Sequence, residues 1–173
     1  MFLKVNKGIP EANVLGCGMS GTIDLGYAKI SMVHADHSSS CGFAEDGIAH
    51  YAGAAAGWVI RLANGVSIYH TGDTGVFGDM QIINELYKPT HILMCIGGHF
   101  TMGPEEAAYA ISKFFCGKKT IIPMHYQTFP ILTGDYPAFK NELEVRQVEQ
   151  KTVVNSYQDL LGKWMELEAP PSE

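Results

Sequence analysis

The sequence predicts an α/β protein in which helices pack on a mixed β-sheet. Two apolar segments joined by Asn64 and Gly65 carry the strongest short-range signal for a β-hairpin. After this hairpin, two amphipathic helical patterns alternate with the short apolar runs "HILMCIGG" and "KTIIPMH", which have the length of buried strands. A hairpin followed by helix, strand, helix and strand indicates a mixed sheet covered by helices.

The composition favours one globular domain over residues 1–173, because 46% of the chain is apolar and only 17% is charged. The formal net charge is −6 and no cluster of Lys and Arg occurs, which argues against nucleic acid or a membrane surface as a partner. No apolar run approaches the roughly 20 residues of a membrane span. The four cysteines form no CxxC pair, so we expect a cytoplasmic protein with reduced thiols.

The first half of the chain predicts these elements in order. "MFLKVNKGI" has the pattern of the last turns of an amphipathic helix closed by Gly8. "YAKISMVH" alternates apolar and polar residues as a half-buried strand does, and "HSSSCGFAEDGIAHYAGAAA" lacks periodicity and predicts a long loop. The hairpin "AGWVIRLANGVSIYH" follows, with a type I′ turn expected at Asn64 and Gly65.

The second half predicts three helices. Asp79 is a candidate N-cap for "MQIINELY", which ends before Pro89. Residues 103–106, Gly-Pro-Glu-Glu, open a helix over "PEEAAYAISKFF" with acidic groups in its first turn. A further helix follows Tyr136, and "KTVVNSY" and "GKWMEL" are candidates for final strands.

Three ligand-type residues occupy the same structural position, just after a predicted strand. These are His37, Asp73 and His125. Because ligands gather where strand ends converge in layered α/β folds, these side chains are expected to face one cleft. Two imidazoles and a carboxylate are ligands that hold zinc, manganese or iron. Gly72 and Gly75 flank the aspartate and would let backbone and a metal or water approach it closely.

Each candidate also has a structural interpretation. A histidine near a strand end is often a hydrogen-bonded structural group, and an aspartate within Gly-Asp-Thr-Gly is often a turn former. His70 and His91 are interpreted as structural, while His34 in "HADH" is a reserve ligand and His50 has no assigned place. The Asp-Thr-Gly tripeptide also occurs in aspartic proteases, but a single copy in an α/β pattern argues against that class.

Four longer segments together resemble the metallo-β-lactamase superfamily: "HSSS", "IYHTGDTGVFGDM", "ELYKPTHILMCIGGHFTMGPEEAA" and "IIPMHYQTFP". They are most similar to its uncharacterised metal-dependent hydrolase branch, which is related to the bacterial ascorbate-6-phosphate lactonase. The similarity runs over about residues 2–130. The resemblance implies an αββα sandwich with one or two divalent transition metals on the rim of its sheets. Zinc is the metal most expected, with manganese, iron or nickel as alternatives.

The resemblance also implies roles for single residues. His37 matches the histidine ligand of the third motif, Asp73 the carboxylate that bridges two metals, and His125 the last histidine ligand. His99, within "GGHFTMG", matches a position that this branch also holds as histidine, where it would support the ligands or contact the substrate. Asp73 and His99 are therefore the candidate catalytic residues.

The family's His-x-His-x-Asp-His motif is absent from this sequence. The chain thus resembles the family without its N-terminal third, and we expect a sandwich truncated at the N-terminus. An unpaired strand edge and an uncovered apolar face would need a second copy to cover them, which predicts a homo-oligomer.

Two functions agree with these observations. The first is a metal-dependent hydrolase that uses metal-activated water on a small ester, lactone or phosphate ester. The second is a non-catalytic remnant of the fold that serves as a binding or assembly module. Phe100, Met102, Tyr126 and Phe129 either form an apolar wall beside the metal, which suits a small and partly apolar substrate, or belong to the ordinary core.

Overall fold

A computed structural model describes residues 8–43, 48–115, 117–148, 152, 153, 162 and 167. Its strands are β1 (Thr22–Asp24), β2 (Ala28–His34), β3 (Ser40–Phe43), β4 (Ala49–Tyr51), β5 (Ala56–Leu62), β6 (Ser67–His70), β7 (His91–Cys95), β8 (Thr120–Met124) and β9 (Thr152–Val153). Its α-helices are α1 (Met80–Tyr87), α2 (Pro104–Phe114) and α3 (Tyr136–Val145), and a short 3₁₀ turn spans Glu11–Asn13.

Seven of these strands form one sheet in the order β1-β2-β5-β6-β7-β8-β9, and β3 pairs with β4 as a separate ribbon. Strands β1, β2, β5 and β6 run antiparallel, whereas β6, β7, β8 and β9 run parallel to one another. Each parallel crossover passes through one helix, as parallel neighbours require. The predicted mixed α/β sheet is confirmed, and the carboxyl ends of β6, β7 and β8 meet at one edge.

The core lies between the helices and one face of the sheet. Side chains that neighbour one another through the strand register form a continuous buried row across four strands: Val59, Tyr69, Ile92 and Ile121. All three helices contribute to the same cluster, with Met80, Ile111 and Phe139 fully buried. This apolar layer fixes the positions of the strand ends that carry the candidate site.

The β5–β6 hairpin forms at the predicted place, but the expected type I′ turn is wrong. Both central residues of that turn need a positive φ, and only Gly65 has one, at 89°. The Gly65 amide donates to the Leu62 carbonyl over 3.1 Å, and the Leu62 amide donates to Val66 over 2.8 Å. The Asn64 side chain accepts from the Val66 amide, which stabilises a longer loop with glycine in the left-handed position.

The predicted long loop after His37 is partly wrong as well, because β3 and β4 lie within it. They pair antiparallel, with Ser40 opposite Tyr51, and their register shifts between Cys41 and Phe43. A bulge of this kind interrupts the two-residue alternation by which a strand is recognised in sequence. The unplaced His50 is exposed on β4.

The predicted helices are present with small changes at their ends. Asp79 precedes α1 but makes no side-chain capping hydrogen bond, whereas Asp135 caps α3 by accepting from the Ala138 amide over 2.8 Å. Of "KTVVNSY", residues 152 and 153 pair with β8. The N-terminal helical segment before Gly8 and most of "GKWMEL" lie outside the described residues. None of the helices in the described ranges is long and apolar enough to span a membrane.

Candidate metal centre

The candidate site lies at the edge of the sheet where three neighbouring strands end. Asp73 follows β6, His99 follows β7 and His125 follows β8. Since these strands are adjacent and parallel in the sheet, their following loops occupy the same side of the molecule. This is the edge at which open α/β sheets bind ligands.

Asp73 and His125 lie in direct contact at this edge. The carboxylate Oδ2 of Asp73 is 3.3 Å from Nε2 of His125, and both side chains are partly exposed. Two ligands bound to one tetrahedral zinc at about 2.0 to 2.2 Å lie roughly 3.4 Å apart. The observed spacing therefore fits a pair of ligands on one cation, and it also fits an ion pair when His125 is protonated.

His37 lies in a cleft that Asp73 also lines, and its ring has a hydrogen bond that suits a metal ligand. Its Nδ1 is 2.8 Å from the Ser38 carbonyl oxygen. A carbonyl only accepts, so Nδ1 donates this bond, and in the neutral imidazole Nε2 then has the lone pair that a metal needs. His37 and Asp73 line an open cleft of about 480 Å³, with Ser38, Ser39, Ser40, Ala55 and Ala56 as its other walls.

The three predicted ligands are not gathered around one point. In the part of the chain that the structure describes, no three His, Cys, Asp or Glu side chains converge closely enough to hold one metal ion. Asp73 and His125 are brought together, and His37 lies beside Asp73 in the cleft. Their assignment as ligands stays a prediction, supported by one donor pair with suitable spacing.

The backbone around Asp73 is tightly constrained on one side. Gly72 has a left-handed φ of 68°, and a Cβ added there would overlap the carbonyl oxygen of Ala56. Gly75 differs, because an added Cβ would make an ordinary contact of 3.7 Å with the Asp36 carbonyl oxygen. Another backbone segment therefore lies close to Gly72 but not to Gly75, and the approach of a metal to Asp73 stays a prediction.

Two hydrogen bonds tie the Asp73 loop to the loop that carries His37. The Asp36 amide donates to the hydroxyl of Thr74, and the Gly75 amide donates to the Asp36 carbonyl, each over 2.9 Å. These bonds fix the distance between the two loops. Sequence reasoning missed them, because a contact made mainly by backbone atoms leaves no residue pattern.

The histidines interpreted as structural have hydrogen-bond partners of their own. Nδ1 of His70 accepts from the Gly72 amide over 3.1 Å, and Nδ1 of His91 lies 2.8 Å from the Thr90 hydroxyl. Desolvation by burial lowers the pKa of both imidazoles, which favours their neutral forms. The reserve candidate His34 packs edge-on against the ring of Phe77, with centroids 5.0 Å apart.

His99 is exposed and packs against Phe100, with the two rings edge to face and their centroids 4.4 Å apart. Its backbone has a left-handed φ of 57°, which is uncommon for a residue with a side chain. His99 lies in the loop after β7, at the same edge of the sheet as Asp73 and His125. Its catalytic role stays a prediction.

The predicted apolar wall divides into two pairs. Met102 and Tyr126 are each only 2% exposed and belong to the core. Phe100 and Phe129 are 55% and 61% exposed, on the loops that follow β7 and β8. Only the exposed pair is available to contact a ligand.

The fold is that of the metallo-hydrolases, as solved structures show. A metallo hydrolase of the hyperthermophilic archaeon Ignicoccus hospitalis matches with a TM-score of 0.68 and 30% identity, over 88% of this chain and 61% of that one. An isothiocyanate hydrolase from Delia radicum gut bacteria shares the fold at 15% identity, with a TM-score of 0.57 over 82% of this chain and 56% of that one. A family model for the β-lactamase superfamily domain matches residues 2–126, and the chain belongs to this family.

Curated relatives extend the comparison to named proteins. A metal-dependent hydrolase of Chloroflexus aurantiacus is 48% identical over 74% of this chain and 51% of its own length. One from Myxococcus xanthus is 43% identical over 85% of this chain and 52% of its own. The chain thus spans about half the length of these relatives. The resemblance to the metallo-β-lactamase superfamily is confirmed, while the link to ascorbate-6-phosphate lactonase stays a prediction.

Proposed function

We propose that this chain acts in the cytoplasm as a metal-dependent hydrolase of a small ester, lactone or phosphate ester. The observation that carries the proposal is the contact of Asp73 Oδ2 with His125 Nε2 at 3.3 Å, beside a cleft that His37 also lines. The names of the curated relatives, which are metal-dependent hydrolases, support the same reaction class. Free thiols at Cys17 and Cys95 agree with a reducing compartment.

The residues of the cleft suit one or two divalent transition metals, with zinc expected first and manganese, iron or nickel as alternatives. His37 and His125 would each bind through Nε2, and Asp73 through its carboxylate. A cation held there lowers the pKa of bound water towards about 7 and polarises the group to be cleaved. The Ser38 carbonyl accepts the hydrogen bond from His37 Nδ1, which would leave Nε2 available to bind a metal.

The shape and polarity of the cleft support a small substrate. Its volume of about 480 Å³ lies within the range of sites for small molecules. Ser38, Ser39 and Ser40 line it with hydroxyl groups, which can bind polar parts of a substrate. On the neighbouring loops, Phe100 and Phe129 offer apolar surface for a less polar part.

The alternative is a non-catalytic member of the family that serves as a binding or assembly module. It is favoured by one observation: across the described ranges, no three ligand-type side chains converge on one point. This alternative predicts that the chain keeps its fold and hydrolyses nothing.

A chelation experiment separates the two proposals. We expect the purified chain to hydrolyse at least one of 4-nitrophenyl acetate, a γ-lactone and 4-nitrophenyl phosphate. Chelator treatment should abolish the reaction, and zinc or manganese should restore it, because the water is activated by the metal. Hydrolysis that survives complete metal removal would contradict the proposal. Metal binding without any turnover would favour the binding module.

We also infer that the chain forms a homo-oligomer. The face of the sheet opposite the helices carries half-buried apolar side chains on neighbouring strands: Trp58, Ile60, Ile68, Leu93 and Ile122. His70 and His91 interrupt this face, but the apolar side chains around them still favour association with another surface. Light scattering should therefore report a dimer or a larger assembly, and a folded monomer would refute the inference.

A further inference from the structure

We propose that Gly97 is a positioning residue for His125. Because Gly97 has no side chain, the loop after β7 packs directly on the backbone of His125 and sets the direction of its imidazole. The inference rests on the proposed function, in which His125 is a metal ligand through Nε2.

The contact between the two backbones leaves no room for a side chain. A Cβ built on Gly97 would overlap the carbonyl oxygen of His125 and would lie 3.4 Å from Nδ1 of the same residue. Next to this contact, the Ile96 amide donates to the Met124 carbonyl over 3.1 Å and continues the pairing of β7 with β8. A side chain at position 97 would therefore have to displace the backbone of His125 or that of its own loop, next to the end of the β7–β8 pairing.

A second glycine holds Gly97 in place from the other side. The Gly134 amide donates to the Gly97 carbonyl over 3.0 Å, and a Cβ on Gly134 would overlap the carbonyl oxygen of Ile96. Both glycines are buried. The backbone of Gly97 is therefore packed between the backbones of Gly134 and His125.

The same loop also reaches the backbone next to Asp73. The Gly98 amide donates to the Met102 carbonyl over 3.0 Å, and the Met102 amide donates to the Thr74 carbonyl over 2.8 Å. One loop thus contacts His125 directly and the neighbour of Asp73 through Met102. It sets the relative position of the two side chains whose donor atoms are 3.3 Å apart.

The rings of the two candidate ligand histidines are held by different means. His37 is oriented by a hydrogen bond from Nδ1 to the Ser38 carbonyl. Nδ1 of His125 is buried and has no hydrogen-bond partner among the described residues. His125 also has a left-handed φ of 53°, a conformation that needs support from its surroundings. At His125, packing against Gly97 takes the place of the orienting hydrogen bond.

The test measures zinc affinity by competition with a chromophoric chelator. Gly97→Ala should weaken zinc binding by about 10- to 100-fold, the range found when a group that orients a ligand is lost. Gly78→Ala is the matched control, because nothing lies within 4 Å of its added Cβ and its φ is not left-handed. It should bind zinc as the unaltered chain does.

A core variant separates positioning from a general loss of stability. Phe139→Leu alters the buried face of α3 and should lower the melting temperature while leaving zinc affinity unchanged in folded protein. If folded Gly97→Ala binds zinc as tightly as the unaltered chain, the positioning role is overturned. If the unaltered chain binds neither zinc nor manganese, iron or nickel, the proposed function fails first and the positioning role fails with it.

If Gly97→Ala does not fold, amide hydrogen exchange of the unaltered protein provides a second test. Without metal, the Gly134 amide should exchange its hydrogen as slowly as the amides of β7, because its bond to Gly97 is part of a preformed support. Rapid exchange at Gly134 would show that this support is absent before metal binds, and the inference would be wrong.

Discussion

Asp73→Ala is expected to reduce the zinc affinity of this chain by more than about 100-fold. This loss exceeds the one that is typical when a group that only hydrogen-bonds to a metal ligand is removed. The carboxylate lies 3.3 Å from His125 Nε2 and lines the cleft that also contains His37. Its removal takes away the only carboxylate among the three candidate ligands. Elemental analysis after dialysis without chelator should find one or two equivalents of metal in the unaltered chain and almost none in the variant.

The fold should survive this substitution. The Asp73 side chain is about half exposed, and changes at exposed positions usually alter the free energy of unfolding by less than about 0.5 kcal/mol. Asp79→Ala is the matched control, since Asp79 is an exposed aspartate on the same segment that makes no capping hydrogen bond. Equal metal content in the two variants would contradict the assignment of Asp73 as a ligand.

Most of the fold could be predicted because each main element carries its own local signal. Pro104 and the acidic residues after it identify the start of α2, and the buried apolar runs identify β7 and β8. The β3–β4 ribbon could not be predicted, since its pairing contains a register shift within a segment rich in Gly and Ala. The expected hairpin turn was wrong for a related reason: the turn type depends on φ at Asn64, which the dipeptide alone does not determine.

Within the candidate site, the sequence could predict where some side chains lie but not the backbone contacts around them. Strand ends pointed to Asp73 and His125, which the structure brings into contact. The Ser38 carbonyl that orients His37 and the Gly97 backbone that supports His125 have no sequence signal, because any residue has a carbonyl and glycines occur in many loops. These contacts depend on the tertiary path of the chain.

Two apolar residues near the site illustrate the same limit. Phe100 and Met102 are two positions apart, yet one is exposed and the other is buried. Their loop is irregular, so neither a helical nor a strand period assigns a side chain to one face. Backbone hydrogen bonds with Gly98 and Thr74 hold Met102 in its buried position.

The glycines on either side of Asp73 give the second prediction of large effect. Gly72→Ala should lower the free energy of unfolding by about 2 to 5 kcal/mol, because it adds left-handed strain and a steric overlap with Ala56. Gly57 faces the same contact, where an added Cβ would lie 2.7 Å from the Thr71 carbonyl oxygen. The start of β5 and the segment after β6 thus lie close together, with Gly57 and Gly72 at the contact. Urea unfolding followed by circular dichroism measures the effect.

Gly75→Ala is the control that makes this prediction specific. An added methyl group there has an ordinary contact at 3.7 Å, and the backbone is not left-handed. Replacing such a glycine restricts the unfolded chain and should stabilise the fold by about 0.4 to 1 kcal/mol. Equal effects at the two positions would show that the backbone at Gly72 adapts without cost. The close approach of β5 and β6 would then not be what places Asp73 at the edge of the sheet.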